Sequence, residues 1–223
     1  MVRRVGRPLS VILCGGGTGG HLAPGVALCE HLERTEPGCQ VTLLRTGRAV
    51  EDHVFRDSGI ETVVMDLQPP GSGVLGRLRF VRQVWRQVAA IHRLMDRRPI
   101  DVMVGLGGFA SVPGILAARL RGISVILLEQ NVRPGKVNRL FGPLVDCVAC
   151  STLSAVEDFG SWTSRVRLED TGNPLRDAVA RAGAWRHLGS VSERRAEVGA
   201  VRVRVGVGRV GRVRDRKGVP LCG

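Results

Sequence analysis

The amino-acid sequence predicts an α/β fold with a Rossmann-like, doubly wound parallel sheet. Short apolar runs, typical of strands buried on both faces, alternate with helical patterns over about the first 150 residues. Two glycine-rich segments each follow one of these runs directly. The chain of 223 residues, 43% of them hydrophobic, is long enough for a large core. Such alternation is typical of a parallel sheet with right-handed crossovers and helices on both faces.

Six strands and five helices follow from the pattern of apolar residues. The strands are predicted at residues 9–14, 40–44, 62–65, 101–106, 124–128 and 146–150. The helices are predicted at residues 22–34, 48–58, 75–95, 113–120 and 136–141. We expect one domain over residues 1–180. No apolar run approaches the roughly 18 residues of a membrane span, and we expect no signal peptide.

The net charge of +13 is concentrated in two segments. One is residues 77–98, with seven arginines and only one acidic residue. The other is the low-complexity Val-Gly-Arg segment within residues 181–223, which predicts a disordered or aberrant basic tail. An RNA-binding arm is the alternative for the tail, but no aromatic residue is interleaved for base stacking, so no nucleic acid is expected as a partner.

The longest predicted helix has an apolar stripe and a basic face. The stripe consists of Leu78, Val81, Trp85, Val88, Ile91, His92 and Met95. Around its start, Leu75, Leu78, Phe80 and Trp85 are mixed with Arg79 and Arg82. This mixture suits an interface with anionic lipid. An ordinary amphipathic helix with a solvated basic face is the alternative.

Cys147 and Cys150 form a C-x-x-C pair within an apolar run that predicts a strand. The sequence contains six cysteines, but no second pair or histidine pair stands at zinc spacing. We interpret the pair as buried core residues in a reducing compartment, and no metal is expected.

The first glycine-rich segment, Gly-Gly-Gly-Thr-Gly-Gly-His at residues 15–21, lies between a strand and a helix. Glycines let backbone N–H groups approach a phosphate closely, and the helix N-terminus adds a favourable dipole. The segment lacks the Lys-Ser/Thr ending of a P-loop. It fits G-x-G-x-x-G, but Arg45 stands where a ribose-binding acid would end the second strand, which disfavours an NAD enzyme.

Three further segments carry candidate site residues. A second glycine-rich loop, which contains Gly107, Gly108 and Ser111, also follows a strand directly. Both glycine loops then lie at the same edge of the sheet, and a pyrophosphate could bind there between two helix N-termini. Glu129 and Asn131 follow the next strand, where a carboxylate could act as a general base and an amide could bind a sugar. Arg176, after a Gly-Asn-Pro turn, could clamp an anion. Each segment also has a purely structural interpretation. The glycine-rich loop could be a simple connection, the segment 129–131 a polar turn at a strand end, and Arg176 a surface arginine.

In chain order these segments resemble the N-terminal half of the MurG family of GT-B glycosyltransferases, over about residues 8–180. The matching text is Gly-Gly-Thr-Gly-Gly-His-Leu-Ala-Pro-Gly at 16–25, Gly-Gly-Phe-Ala-Ser-Val-Pro-Gly at 107–114, Glu-Gln-Asn at 129–131 and Gly-Asn-Pro-Leu-Arg at 172–176. The family transfers N-acetylglucosamine from UDP-N-acetylglucosamine to lipid I, the lipid-linked muramyl pentapeptide, to make lipid II for peptidoglycan.

The resemblance implies the acceptor-side domain of a two-domain enzyme at the cytoplasmic face of the bacterial inner membrane. By this resemblance, Thr18, Gly19, Gly20, Asn131 and Arg176 contact the donor, and the glycine loops hold the acceptor pyrophosphate. His21 and Glu129 are the candidates for catalysis or its support. No metal or cofactor is implied, because helix termini and an arginine can stabilise the leaving pyrophosphate.

The sequence departs from the family pattern at three places. Leu128 stands where histidine is usual, and Val112 where glycine is usual. The uracil and ribose contacts of the family's second domain have no counterpart in the sequence. We therefore expect little or no transferase activity from this polypeptide alone. A partner protein that supplies the second domain is one way in which activity could arise. A non-catalytic module that binds lipid-linked pyrophosphate or membrane remains the alternative.

Overall fold

The computed structural model describes residues 7–16, 19–55, 59–160 and 166–174, and the structural statements below refer to these residues. The strands are β1 (Ser10–Cys14), β2 (Gln40–Arg45), β3 (Glu61–Val64), β4 (Val102–Gly105), β5 (Ser124–Glu129), β6 (Cys147–Cys150) and β7 (Arg167–Asp170). The α-helices are α1 (Gly19–Thr35), α2 (Ala49–Phe55), α3 (Gly73–Arg97), α4 (Val112–Leu120), α5 (Lys136–Phe141) and α6 (Leu153–Gly160). Two short 3₁₀ helices, Phe109–Ser111 and Gly142–Leu144, precede α4 and β6.

All described strands pair in parallel in one sheet of order β3-β2-β1-β4-β5-β6-β7. The chain first builds outward from β1 to β3, then returns through α3 to start the other half at β4. The strand order therefore reverses between β1 and β4, the position where doubly wound sheets bind ligands. This architecture confirms the predicted α/β fold.

A hydrophobic core covers each face of the sheet, because neighbouring residues of a strand point to opposite faces. On one face Leu13 and Leu43 pack with α1 residues such as Leu22 and Val26. On the other face Ile12 and Met103 pack with side chains from α3, α4 and α6. Both layers are needed to bury β1 and β4, whose described residues are buried throughout.

Sequence reasoning missed two elements at the end of the described chain, α6 and β7. Helix α6 buries only Ala155 and Phe159 on its described residues, so its apolar periodicity is short. Strand β7 reads Arg-Leu-Glu-Asp, and three of its four residues are charged. An edge strand tolerates such residues because one of its sides has no neighbouring strand. Helix α1 also begins at Gly19, before the predicted start at residue 22.

The predicted apolar stripe of α3 is buried in the second half of the helix and largely exposed in the first half. Val88, Ile91 and Met95 are buried against the sheet as expected. In contrast, Leu78 and Trp85 are exposed, although they fall on the same helical periodicity. Described residues cover this first half only in part: Phe80 is half-buried against the core, whereas Leu75, Leu78, Val81 and Trp85 are at least half exposed.

The described cysteines are free thiols. Cys150 is fully buried and Cys147 partly so, which agrees with the interpretation of the C-x-x-C pair as core residues. Burial raises the pKa of the Cys14, Cys147 and Cys150 thiols to about 12, and does the same for Cys29. Among the described residues, no helix has the length and apolarity that crossing a membrane requires.

Candidate functional site

The candidate site lies at the carboxyl edge of the sheet, where the loops after the strands meet. Cys14 at the end of β1 pairs with Gly105 at the end of β4, and Gly105 pairs with Leu127 of β5. Glu129, the last residue of β5, pairs with Cys150 at the end of β6. Since all these strands are parallel, the segments that follow them share one edge.

The first glycine loop passes directly from β1 towards α1. The Gly15 N–H donates to the Leu44 carbonyl over 3.1 Å, which ties the loop to β2. A Cβ at Gly16 would overlap Oε1 of Glu51, so this position requires glycine. Gly19, Gly20 and His21 form the first turn of α1. Thr18 lies outside the described residues.

Sequence reasoning missed Glu51, a fully buried carboxylate in the first turn of α2. It accepts hydrogen bonds from Thr46 Oγ1 at 2.5 Å and from the Gly47 N–H at 2.7 Å. An acidic residue in a first helical turn was the available signal. Glu51 therefore fixes the loop after β2 and closes the space beside Gly16.

Arg45, which ends β2, is held by an ion pair with Asp52 of α2 at 2.7 Å. The next arginine, Arg48, lies in the exposed loop before α2, with its guanidinium carbon 5.7 Å from the centre of the Phe109 ring. A cationic side chain is thus stacked on the residue that follows the second glycine loop.

The second glycine loop follows β4 and lies beside the first. Gly107 and Gly108 have φ values of 96° and 71°, in the left-handed region that favours glycine. A Cβ at Gly108 would lie 3.5 Å from the Gly16 carbonyl oxygen, so the space between the two loops here is about the size of one methyl group. The hydroxyl of the fully buried Ser111 donates to the Gly108 carbonyl over 2.8 Å. Ser111 thus stabilises the loop from within.

Glu129 is 2% exposed and its carboxylate accepts four hydrogen bonds. Oε1 accepts the backbone N–H and the side-chain Nδ2 of Asn131, each at 2.9 Å. Oε2 accepts the Gly135 N–H at 2.8 Å and Nδ2 of Asn138 at 2.9 Å. The four donors take up the acceptor capacity of the carboxylate and fix the loop between β5 and α5.

Asn131 is exposed, and its Nδ2 faces Glu129 because a carboxylate can only accept. Within the described part of the chain, its Oδ1 and second amide hydrogen make no hydrogen bond. The preceding residue, Gln130, donates from Nε2 to the Leu106 carbonyl over 3.1 Å. Leu106 comes just before Gly107, so this bond joins the loop after β5 to the second glycine loop.

The last described segment continues the same edge beyond β7. The Thr171 N–H donates to the Cys150 carbonyl over 2.9 Å. Gly172 follows with a φ of 69°, which starts the predicted Gly-Asn-Pro turn. Arg176 and the basic tail at 181–223 lie outside the described residues.

The six residues predicted to face a membrane are not equivalent. Leu75 and Leu78 are 73% and 60% exposed, Trp85 is 52% exposed, and Arg79 and Arg82 are also exposed. Phe80 is half-buried and meets Phe109 edge to face, with ring centres 6.3 Å apart. The prediction for Phe80 therefore needs correction, because its ring packs against the core beneath the second glycine loop.

Residues 11–150 match the N-terminal domain of glycosyltransferase family 28. The chain belongs to this family. Among its curated relatives is the UDP-N-acetylglucosamine–N-acetylmuramyl-(pentapeptide) pyrophosphoryl-undecaprenol N-acetylglucosamine transferase of Syntrophotalea carbinolica. The two are 38% identical over 176 residues, which cover 77% of this chain and 47% of the relative. The enzyme of the same name from Syntrophus aciditrophicus is 38% identical over 75% of this chain and 46% of its own length. The chain thus spans about half the length of these relatives.

Solved structures agree with the fold. Acinetobacter baumannii MurG superposes with a TM-score of 0.57 and 32% identity, over 65% of this chain and 42% of that one. The UDP-GlcNAc 2-epimerase of Neisseria meningitidis, solved with UDP-GlcNAc, has a TM-score of 0.55 over 74% of this chain and 46% of its own. At 16% identity the epimerase is evidence for the shared fold alone.

The two local departures from the family pattern both lie in the core. Leu128 is 4% exposed in the core that includes α1, and Val112 is 8% exposed at the start of α4. The apolar side chains at both positions therefore pack in the core.

Proposed function

We propose that this chain provides the acceptor-side domain of an enzyme that transfers N-acetylglucosamine from UDP-N-acetylglucosamine to a lipid-linked muramyl pentapeptide. Membership of glycosyltransferase family 28 and the names of its relatives support this assignment. The chain matches about half of each relative, and the other half, with most donor contacts, would come from a second domain.

The proximity of the two glycine loops is the observation that carries the proposal. Gly16 and Gly108 adjoin each other where the strand order reverses, and each loop leads into a helix, α1 or α4. Backbone N–H groups at helix N-termini bind phosphate well. We assign the acceptor pyrophosphate to this pair of loops, with Gly107 and Gly108 forming one side and the buried Ser111 supporting that side through its bond to Gly108. Arg48, stacked on Phe109, adds a positive charge beside them.

The donor would lie along the remaining loops of the same edge. We assign Thr18, Gly19, Gly20, Asn131 and Arg176 to the donor by resemblance to the family. The reaction needs a base that takes the proton of the acceptor hydroxyl, which then displaces UDP from the anomeric carbon with inversion. The carboxylate of Glu129 already accepts four hydrogen bonds. We therefore assign the role of the base to His21 and a supporting role to Glu129.

The exposed first half of α3 would bind the membrane that carries the acceptor. Leu75, Leu78 and Trp85 form an apolar surface, and Arg79 and Arg82 supply positive charge around it. Apolar burial combined with basic residues is how peripheral helices bind anionic leaflets. This would place the protein on the cytoplasmic face of the inner membrane.

A transfer assay tests the proposal and separates it from a non-catalytic binding module. Residues 1–180 of this chain, which include Arg176, would be joined to the C-terminal domain of Acinetobacter baumannii MurG. We expect the chimera to move radiolabel from UDP-N-acetylglucosamine into the lipid fraction when a lipid I analogue is present, and the 223-residue chain alone to move none. A folded chimera that binds both substrates without transfer would favour the binding module.

A further inference from the structure

Leu106 occupies a central position beneath the two glycine loops. Its side chain is fully buried. A Cβ at Gly15 would lie 2.6 Å from Leu106 Cβ, and a Cβ at Gly25 would lie 2.7 Å from Leu106 Cδ1. Real side chains do not approach this closely, so Leu106 occupies the space that these two glycines leave open. The first glycine loop and α1 therefore rest on a residue of the second loop.

The backbone of Leu106 is tied on both sides. Its N–H donates to the Cys14 carbonyl at the end of β1 over 2.9 Å. Its carbonyl accepts Nε2 of Gln130, which follows β5, over 3.1 Å. The Gln130 carbonyl in turn accepts the Ser151 hydroxyl, which follows β6, over 2.8 Å. A continuous series of hydrogen bonds thus crosses the ends of four neighbouring strands.

Within this series, only the Gln130 side chain bridges β4 and β5 beyond the ends of the paired strands. The parallel ladder between them ends with Gly105 and Leu127. Beyond it, Leu106, Gly107 and Gly108 leave the sheet, and Gln130 and Asn131 do the same on the neighbouring strand. Without the Gln130 amide, the Leu106 carbonyl would have to find another donor, and the second glycine loop would lose its connection to the loop that carries Asn131.

We propose that Gln130 is a positioning residue that holds Leu106, and through Leu106 both glycine loops, in register with Asn131. Gln130 itself need not touch the substrate. Its identity as an amide matters because it must donate to a carbonyl, while the length of its side chain sets the distance between the two loops. The link from Gln130 through Leu106 to the two glycine loops is independent of the proposed function. Only its effect on pyrophosphate binding rests on the proposed function.

Two substitutions in the 223-residue chain remove the donor while keeping the size of the side chain. Gln130→Leu makes the group apolar, and Gln130→Glu replaces the amide donor by a carboxylate that can only accept. The matched control is Gln83→Leu, which removes another glutamine that bonds to the backbone, through the Gln68 N–H at 3.1 Å, on α3. Amide hydrogen exchange followed by mass spectrometry reads out the loops directly.

We expect both Gln130 variants to speed exchange in residues 106–111 by about fivefold or more, since one hydrogen bond is lost. A smaller increase is expected in residues 15–16 and 19–25, because Gly15 and Gly25 pack closely on the Leu106 side chain, and little change is expected in β2 and β3. Gln83→Leu should leave residues 106–111 unchanged. Unaltered exchange at 106–111 in both Gln130 variants, or an equal increase throughout the sheet, would overturn the proposal.

Binding of inorganic pyrophosphate gives a second readout that loss of stability alone would not produce. At a temperature where all variants remain folded, we expect the dissociation constant to rise about fivefold or more in Gln130→Leu and to stay the same in Gln83→Leu. Equal dissociation constants in both variants would contradict the positioning role. If the unsubstituted chain binds no pyrophosphate but shows the expected exchange, the positioning role stands and the assigned pyrophosphate site fails.

Discussion

The carboxylate of Glu129 accepts both the backbone N–H and the side-chain amide of Asn131, each over 2.9 Å. Two residues that the sequence analysis assigned to catalysis and to donor binding are thus directly bonded to each other. The remaining oxygen of Glu129 accepts the Gly135 N–H and the Asn138 amide. The orientation of Asn131 therefore depends on the hydrogen bonds that Glu129 accepts.

Replacement of Glu129 by glutamine tests this dependence. Glu129→Gln puts an NH₂ group where an oxygen now accepts two hydrogen bonds, so buried donors would face one another. We expect the free energy of unfolding to fall by about 2 kcal/mol or more, as measured by urea denaturation. The matched control is Asp66→Asn at an exposed ion pair with Arg86, which should cost less than about 0.5 kcal/mol. Equal stability of Glu129→Gln and the unsubstituted chain would contradict the structural role.

The close fit of Leu106 beneath Gly25 predicts a compensating pair of substitutions. In Gly25→Ala the new methyl group meets Leu106 Cδ1, and we expect this overlap to cancel the gain of about 1 kcal/mol that alanine has over glycine inside a helix. Leu106→Val removes that atom, so the double variant should be more stable than the sum of the single effects implies. A double-mutant cycle in urea measures the coupling.

The control for this cycle is Gly114→Ala, whose methyl group would meet Cys14 rather than Leu106, with Cβ and Sγ both at 2.7 Å. Leu106→Val should not relieve it. Coupling of similar size for Gly25→Ala and Gly114→Ala would indicate a general loosening of the core instead of a specific contact.

Helix α3 offers a matched comparison between membrane binding and packing. Leu75→Ser with Leu78→Ser should weaken binding to vesicles containing phosphatidylglycerol about tenfold or more, because both side chains are exposed. The unfolding free energy should change by less than about 0.5 kcal/mol.

Phe80→Ala should instead lower the unfolding free energy by about 2 kcal/mol or more, because the ring of Phe80 packs on Phe109. Its effect on vesicle binding should be small. Sedimentation with vesicles and urea denaturation provide the two measurements.

The buried thiols predict a loss of stability at high pH. Burial raises the pKa of Cys14, Cys29, Cys147 and Cys150 to about 12, above the ordinary value of 9.0. Thiol ionisation therefore favours the unfolded chain, and the stability that these groups contribute is fully present below about pH 9 and lost as the pH rises towards about 12. The sequence has no tyrosine, so few other side chains titrate in this range.

Urea midpoints at about pH 8 and about pH 10.5 test this sign. We expect the midpoint to fall at the higher pH, and the fall to be smaller in Cys150→Ser, since serine does not ionise there. The comparison concerns the change with pH, so it holds even if Cys150→Ser is less stable at both values. A midpoint that is independent of pH would show that the thiols ionise equally in the folded and unfolded chains.

Sequence patterns were sufficient for the central part of the sheet because β1 and β4 are buried on both faces and end at glycines. They failed where burial is partial. Strand β7 is charged and is the last strand of the described sheet, and the first half of α3 carries an apolar stripe that the described residues leave exposed. Periodicity records which residues share a face, but it does not record whether another element packs there.

The candidate site could be located but not assembled from the sequence. The glycine loops and the Glu-Gln-Asn segment were identifiable because they follow apolar strands. The hydrogen bonds that join them were not, since Glu51, Leu106 and Gln130 act across loops that are distant in sequence. Such contacts depend on strand order, which brings β1, β4 and β5 together.

Calorimetric titration of the 223-residue chain with a short-chain lipid I analogue addresses the acceptor site itself. The diphosphate analogue would be compared with the otherwise identical monophosphate. If the paired glycine loops bind the pyrophosphate, the diphosphate should bind about tenfold more tightly or better, a difference of about 1.4 kcal/mol. Equal affinities for the two analogues, or no binding of either one, would contradict the assignment of this edge to the lipid-linked acceptor.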